Sequence, residues 1–448
     1  MEKYLEISNE IAQQIHEQYY PVGTKLPSIN TLAHKYNCSR GTIIRAYRQL
    51  LEQNLVHVRK KSGYYSSYSP AVEAKVEGYH LESGNPTVGS FHLPFAKQSL
   101  ALALDHYQLE SLDVGANGVS SVIQALTRSL EDIGVYTKSD HVFLTMGIQQ
   151  TVHALCKMTF PSGHKAILIE EPTYRFVIES LKAQPDLIVY TIKRDENGID
   201  VAQLEKMFKE KAIKFFYLVP RNHNPLGTTL PLTQRKKIVQ LAQKYHVYLA
   251  EDDYFLDAYA TANYTPLYYL AAGSYGIYLG SFTKILPYLR IGFVSLPPEL
   301  HPFYMDTVNE IMHLHYYTPP LISQSMLGVL IHNQFLDKSK QMINQDLKKK
   351  LRKIKLLTKK WDNRIAVYTG SDGYYATIRL HPKLSATCLI DTLASKHIYV
   401  VSNQANFFHA AHFDNSIRLS IAKITVDEIS YVYPKIYQTI VALENATV

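Results

Sequence analysis

Between residues 166 and 296 the chain alternates short apolar runs with amphipathic helical stretches, and this pattern constrains the fold more than any other feature. The runs are AILIE (166–170), LIVYTI (187–192), FFYLVP (215–220), VYLAE (247–251), IYLG (277–280) and GFVSL (292–296). Continuous apolar runs need cover on both faces, which a mainly parallel α/β sheet flanked by helices provides. Beyond about residue 300 the pattern is mostly helical, and strand-like YYATIRL, IYVVS and SIRLSI close the chain. With 448 residues, 46% of them hydrophobic and 19% charged, the chain can bury such a core and falls outside the disordered class. No run of about 18 uncharged apolar residues is present, and the acidic opening MEKYLEISNE does not read as a signal peptide, so a cytoplasmic location is expected. Cys38, Cys156 and Cys388 lie far apart, and the nineteen histidines show no paired-ligand spacing, so no metal is expected.

The N-terminus has a different character. Residues 1–68 carry nine Lys or Arg against five Glu, half of the chain's net +8. Helical spacing over 5–18 is broken at Pro21 and Gly23. Ser28 then caps a short helix to about Tyr36, and Ser39 caps a third, Gly41 to Gln53. LVHVRKKSGYYSS follows as a hairpin with its tip at 60–63. Helix, helix, tight turn, helix and hairpin make a winged helix-turn-helix, whose second helix enters the major groove by its first turn. Arg40 and Arg45 offer planar forks to guanine or phosphate, Ser28, Ser39 and Thr42 offer hydroxyls, and Lys60 and Lys61 lie on the wing. A basic solvated bundle without nucleic acid is the competing reading. The segment from LPSINTLAHKYNCSRG to VRKKSGYY closely resembles the DNA-binding domain of the GntR family. Asn30 stands where that family usually carries a DNA-contacting arginine.

The runs end in polar residues suited to one cofactor, since ligands of open α/β sheets bind outside the carboxyl ends of the strands. FFYLVP leads to Asn224, VYLA to Glu251-Asp252-Asp253-Tyr254, and IYLG to Ser281-Phe282-Thr283-Lys284. A lysine for the Schiff base, a carboxylate for a pyridine nitrogen, and an amide and a phenol for the phenolic oxygen are the groups pyridoxal 5'-phosphate requires. Gly147, Ile148 and Gln149 open a helix whose free N–H groups suit a phosphate, with Ser281 and Arg290 as further phosphate ligands. Tyr174 is placed to stack on the ring, and Arg418 suits an effector α-carboxylate. Each signal is weak alone; their order along the chain makes them a set.

In that order residues 80–445 resemble the fold-type I aminotransferases. With EDDY, SFTK and LRIGF beside the GntR-like head, the chain is similar to the MocR subfamily of GntR regulators. The resemblance makes Asp252 the pyridine partner, with Asp253 as the fallback, and implies a homodimer. It also implies a large cofactor domain (85–300) and a small C-terminal α+β domain (301–448), joined to the winged domain (1–68) by a linker (69–84). Met146 replaces a common phosphate-binding serine, which implies a differently built phosphate grip. The expected function is a pyridoxal-phosphate-dependent transcriptional regulator that binds operator DNA and senses an amino acid, an amine or the cofactor itself. The alternative is an active transaminase with an accessory DNA-binding domain. The Lys-rich stretch 338–360 reads as the solvated face of a helix, with a supplementary DNA-phosphate contact as the alternative.

Overall fold

The amphipathic N-terminus forms three helices, α1 (Lys3–His16), α2 (Ile29–Lys35) and α3 (Arg40–Glu52), followed by an antiparallel hairpin of β1 (Val56–Arg59) and β2 (Gly63–Ser66). The structure is a computed structural model that describes residues 2–67, 77–86, 93–106, 117–256, 264–314, 318–362, 365–370 and 373–447. Ser28 and Ser39 are N-caps, accepting from the amides of Thr31 (3.1 Å) and Thr42 (3.2 Å). Ile7, Ile11, Ile15, Leu32, Ile43, Ala46 and Leu50 make one small core. The Tyr47 ring stacks on that of Tyr64 at 3.9 Å, which fixes the wing to α3.

The chain divides into two units, Met1–Glu77 and Gly78–Val448. Of the connector read from sequence, 69–76 lies outside the described residues, whereas its end belongs to the second unit. There β3 (Tyr79–His80) pairs in parallel with β14 (Ile398–Tyr399), and Leu81 is fully buried.

The second unit is built on an eight-stranded sheet in the order β4 (Val142–Thr145), β11 (Gly292–Ser295), β10 (Gly276–Ser281), β9 (Tyr248–Asp253), β8 (Ile213–Leu218), β5 (Ala166–Glu171), β6 (Val189–Asp195) and β7 (Gly198–Ile199). The central pairs are parallel, and β11 runs antiparallel to both β10 and β4. The 282–291 connection is too short for a parallel crossover, which needs a dozen or more residues. Along β8, Phe215 and Tyr217 enter one core while Phe216 and Leu218 enter the other, so both faces are covered as the unbroken apolar run requires. A second, antiparallel sheet orders β12 (Ala366–Thr369), β13 (Tyr375–Arg379), β16 (Ser416–Ser420) and β15 (Val401–Ser402).

Two buried polar groups fix the elements that carry the site. Lys214 donates to the carbonyls of Leu155, Cys156 and Met158, closing the C-terminal end of the helix Ile148–Lys157. Its burial lowers the amine to about 8. Glu170, at the end of β5, accepts from the Val219 amide at 2.6 Å and pairs with Arg194 (3.3 Å) and His223 (3.4 Å), all fully buried. That network anchors the loop from Val219 to Asn224. The Lys-rich helix spans Phe335–Thr358, with Leu347, Leu351 and Ile354 inward and most of its lysines exposed. Lys340 and Lys353 are partly buried, and Lys350 is buried against Asp346 at 2.6 Å. Among the described residues no helix is long and apolar enough to cross a membrane.

Candidate cofactor cavity and nucleic-acid interface

In the first unit, Arg40, Arg45, Lys60 and Lys61 are all exposed. A cleft of about 290 Å³ brings Arg40 from α3 beside Ser28 and Asn30 from α2 and Ser62 and Gly63 from the wing. Thr42 and Ser39 share a hydroxyl contact of 2.9 Å, so both also hold the α3 cap. Ile44 is exposed on α3, between Arg40 and Arg45, where an apolar side chain can meet a thymine methyl. Arg59 stacks over the Tyr65 ring at 4.2 Å and stiffens the wing. Arg40→Ala is expected to weaken binding to a selected DNA site by about 1–3 kcal/mol if it reads a base. Fluorescence anisotropy on matched and scrambled duplexes checks this.

In the second unit, the strand ends converge on a cavity of about 350 Å³. Parallel pairing puts Asp252 opposite Leu279, so β9 delivers its carboxylate beside the end of β10, from which Ser281, Thr283 and Lys284 continue. Asn224 arrives on the loop held by Glu170. Gly147, Ile148 and Gln149 enter at the start of the helix that Lys214 closes, and Tyr174, Tyr254 and Arg290 complete the predicted wall.

Asp252 is buried, and its Oδ2 accepts from the Tyr217 hydroxyl at 2.5 Å, while Oδ1 is buried with no hydrogen-bond partner. Burial raises this carboxyl to about 7, with Asp253 adding to the rise and the Tyr217 hydrogen bond opposing it. Asp253 instead takes the Tyr278 hydroxyl at 2.6 Å and the Leu256 amide at 3.2 Å, and does not line the cavity. Lys284 Nζ donates to the Gly84 carbonyl (2.8 Å) and to Asn85 Oδ1 (2.7 Å). Arg418 donates to Asn224 Oδ1 (3.2 Å) and to the Glu82 carbonyl (2.5 Å) and lies over the ring of Tyr375; Asn224 and Tyr375 line the cavity. This commits the Asn224 oxygen and leaves its NH2 as the donor. The Tyr254 hydroxyl donates to the Asn222 carbonyl at 2.7 Å and accepts from Asn222 Nδ2 at 2.5 Å, so in this arrangement its proton is committed to Asn222.

The cradle is open at Ile148 and Gln149, whose N–H groups at the start of the helix have no intrahelical acceptor, whereas the Gly147 amide donates to Thr145 Oγ1 at 3.3 Å. Gly147 has φ 118°, and a Cβ there would meet open space. Gly292 is needed for close approach, since its Cβ would lie 2.7 Å from the Gly280 carbonyl and 3.0 Å from Gly147 Cα. Met146 gives no hydroxyl; its amide is taken by Gln150 at 2.8 Å. Ser281 Oγ contacts Thr283 Oγ1 at 2.9 Å, and Arg290 is exposed in the left-handed region at φ 51°.

An unpartnered buried carboxylate oxygen, an open N–H cradle and a lysine on one cavity fit pyridoxal 5'-phosphate. Asn85, Phe176, Thr283 and Tyr375 line the cavity too, and Tyr217 supports it, though sequence reasoning singled out none of these for such a role. For Tyr217 a signal existed: a tyrosine inside a fully buried strand must find a partner for its hydroxyl. Asn85 and Tyr375 come from distant segments and carry no local signal.

Comparison with known proteins agrees with this geometry. Residues 81–436 match the family "Aminotransferase class I and II", whose members depend on pyridoxal phosphate, and residues 3–65 match "Bacterial regulatory proteins, gntR family". The chain is 30% identical over 440 residues to the HTH-type transcriptional regulator YcxD of Bacillus subtilis (strain 168), covering 96% of this chain and 98% of that protein. It is 28% identical over 306 residues to the 2-aminoadipate transaminase of Thermus thermophilus, covering 67% of this chain and 75% of that one. The solved multiple substrate aminotransferase of Thermococcus profundus shares the fold, with a TM-score of 0.75 at 21% identity over 83% of this chain and 93% of its own. The chain therefore belongs to the aminotransferase class I and II family, and carries at its N-terminus the DNA-binding domain of the GntR family in the arrangement of the MocR-type regulators.

Proposed function

We propose that the chain is a homodimeric transcriptional regulator whose 78–448 unit holds pyridoxal 5'-phosphate and reads an amino compound through it. The observation that carries this reading is the unpartnered Asp252 Oδ1 sharing a cavity with Lys284, in a chain that also bears a winged helix with exposed Arg40 and Arg45. Asp252 holds the ring nitrogen, the Ile148 and Gln149 amides beside Gly147, with Ser281 and Arg290, hold the phosphate, Tyr174 covers the ring and Asn224 donates to the phenolic oxygen. The bound cofactor supplies an aldehyde that exchanges between amines and a ring that draws electrons. Lys284 is its point of attachment, and Arg418 recognises the carboxylate of an amino-acid effector.

The coupling to DNA runs through residues 82–85, which follow β3, the strand with which the chain enters this unit. Free Lys284 holds Gly84 and Asn85, and Arg418 holds Glu82. Lys284 would leave that segment when it holds the cofactor and would return to it when an effector amine takes its place. Two states with different grips on one segment are what a ligand-driven shift requires. DNA affinity measured with and without candidate amines tests this: a shift that tracks the change in cofactor absorbance supports it, and an absorbance change with no shift in affinity contradicts it.

The intact Lys284 and the likeness to a transaminase favour a second reading, an active enzyme with an accessory head. Steady turnover of an amino donor and a 2-oxo acid that survives removal of residues 1–68 would establish that reading instead.

A further inference from the structure

Outside the cofactor cavity, the described residues contain one group of His, Cys, Asp and Glu side chains close enough to share an ion: Glu171, His409 and His412. We propose that these three form a site for a divalent transition metal of the zinc class. Glu171 ends β5 and is buried, while His409 and His412 belong to the 404–413 segment and are about half exposed.

The carboxylate is already oriented. Its Oε1 accepts from the His409 amide at 2.6 Å, which turns Oε2 toward both imidazoles. Nδ1 of His409 lies 3.4 Å from Oε2 and Nδ1 of His412 lies 2.6 Å from it, and all three donor atoms fall within 4.8 Å of one another. Zinc binds imidazole nitrogen at about 2.0–2.1 Å and carboxylate oxygen at about 2.0–2.2 Å, which in a tetrahedron spaces donor atoms by about 3.4 Å. The His409 spacing meets that value. The His412 spacing is that of a hydrogen bond, and a metal replaces its proton once this half-exposed ring withdraws by about 1 Å.

Two imidazoles with one carboxylate select zinc-class ions over calcium or magnesium, which prefer oxygen. A fourth position opens on a separate cavity of about 530 Å³ lined by Glu171, His412, Thr191, Asp195 and Asp414, among others. Lys193, Arg194 and Arg379 line this cavity too and are each matched by an acid: Lys193 lies 3.7 Å from Asp195, Arg194 lies 3.3 Å from Glu170 and Arg379 lies 3.3 Å from Asp414. The metal would brace a joint. Thr173 and Asn406 exchange two hydrogen bonds (2.9 and 2.8 Å), so an ion on Glu171 pins the 404–413 segment beside Tyr174, at the wall of the cofactor cavity. The sequence did not disclose the site because the two histidines, three apart, take their third ligand from 238 residues upstream.

The test uses the full-length chain without a histidine tag, stripped with chelator and titrated with Zn²⁺, and with Co²⁺ as a spectroscopic substitute. One Zn²⁺ per chain and a tetrahedral Co²⁺ spectrum are expected. His409→Ala with His412→Ala should weaken binding at least 100-fold and Glu171→Gln at least 10-fold. Circular dichroism confirms the fold of each variant, and the two exposed histidines decide the question if the buried Glu171 cannot be replaced. Absence of stoichiometric binding, or binding unchanged in the double variant, overturns the proposal.

Discussion

Lys284→Ala is expected to abolish the absorbance of bound cofactor and to remove the response of DNA binding to amines, while binding to DNA without effector stays within about twofold of the wild type. The separation follows from where the residue stands. Lys284 lines the cavity in the second unit, and its amine donates to Gly84 and Asn85, residues of that same unit. The winged helix keeps its own core of Ile7, Ile11, Ile43 and Leu50. Alanine removes the only group that can condense with the cofactor at that place, so attachment falls to zero rather than by a factor. Pyridoxal phosphate can still enter and meet Asp252 and the Ile148 and Gln149 amides, but it will be released on gel filtration. Absorbance after desalting, with DNA anisotropy on the same sample, checks both halves. An effector response that persists in Lys284→Ala would remove the lysine from the switch.

The second large effect is expected at Asp252. Asparagine keeps the shape and can still accept from Tyr217, but it puts an NH2 or a neutral oxygen where the ring nitrogen needs an anion. Loss of a charge-assisted hydrogen bond is worth about 1.5–3 kcal/mol, so cofactor retention should weaken roughly 10- to 150-fold. A pH effect accompanies it in the cofactor-free chain. Burial raises the Asp252 carboxyl to about 7, above an unfolded value of about 3.9. The folded state therefore binds the extra proton between these values. The stability this group contributes is full below about pH 3.9 and is lost as pH rises through about 7. Thermal midpoints of the wild type should fall relative to Asp252→Asn across that window, and the cofactor's cationic ring should diminish the difference. Parallel pH profiles of the two cofactor-free proteins would contradict this assignment of the carboxyl.

Much of this arrangement was legible in the sequence because strand ends are local. An apolar run that stops at Asp252, or continues through Ser281 to Lys284, declares its polar end without reference to any other segment. The winged helix was legible for a similar reason, since Ser28 and Ser39 cap helices within three residues of themselves. What escaped depends on chain segments meeting. Asn85 reaches the cavity because β3 pairs with β14, and Tyr375 because the second sheet packs there. The choice between Asp252 and Asp253 turned on tyrosines of neighbouring strands, Tyr217 and Tyr278, which lie on opposite faces of the sheet. Tyr254 was read as a cofactor donor, and no local pattern shows that Asn222 takes its hydroxyl. IYVVS, read as one strand, splits into β14 and β15 in different sheets.

The most direct measurement is reductive trapping. Full-length protein saturated with pyridoxal 5'-phosphate is treated with borohydride, digested, and its peptides mapped by mass. A single phosphopyridoxyl group on the peptide that contains Lys284, in near-stoichiometric yield and suppressed by prior addition of an effector amine, is the result this account predicts. Labelling scattered over exposed lysines such as Lys348 and Lys355, with Lys284 unmodified, would contradict it.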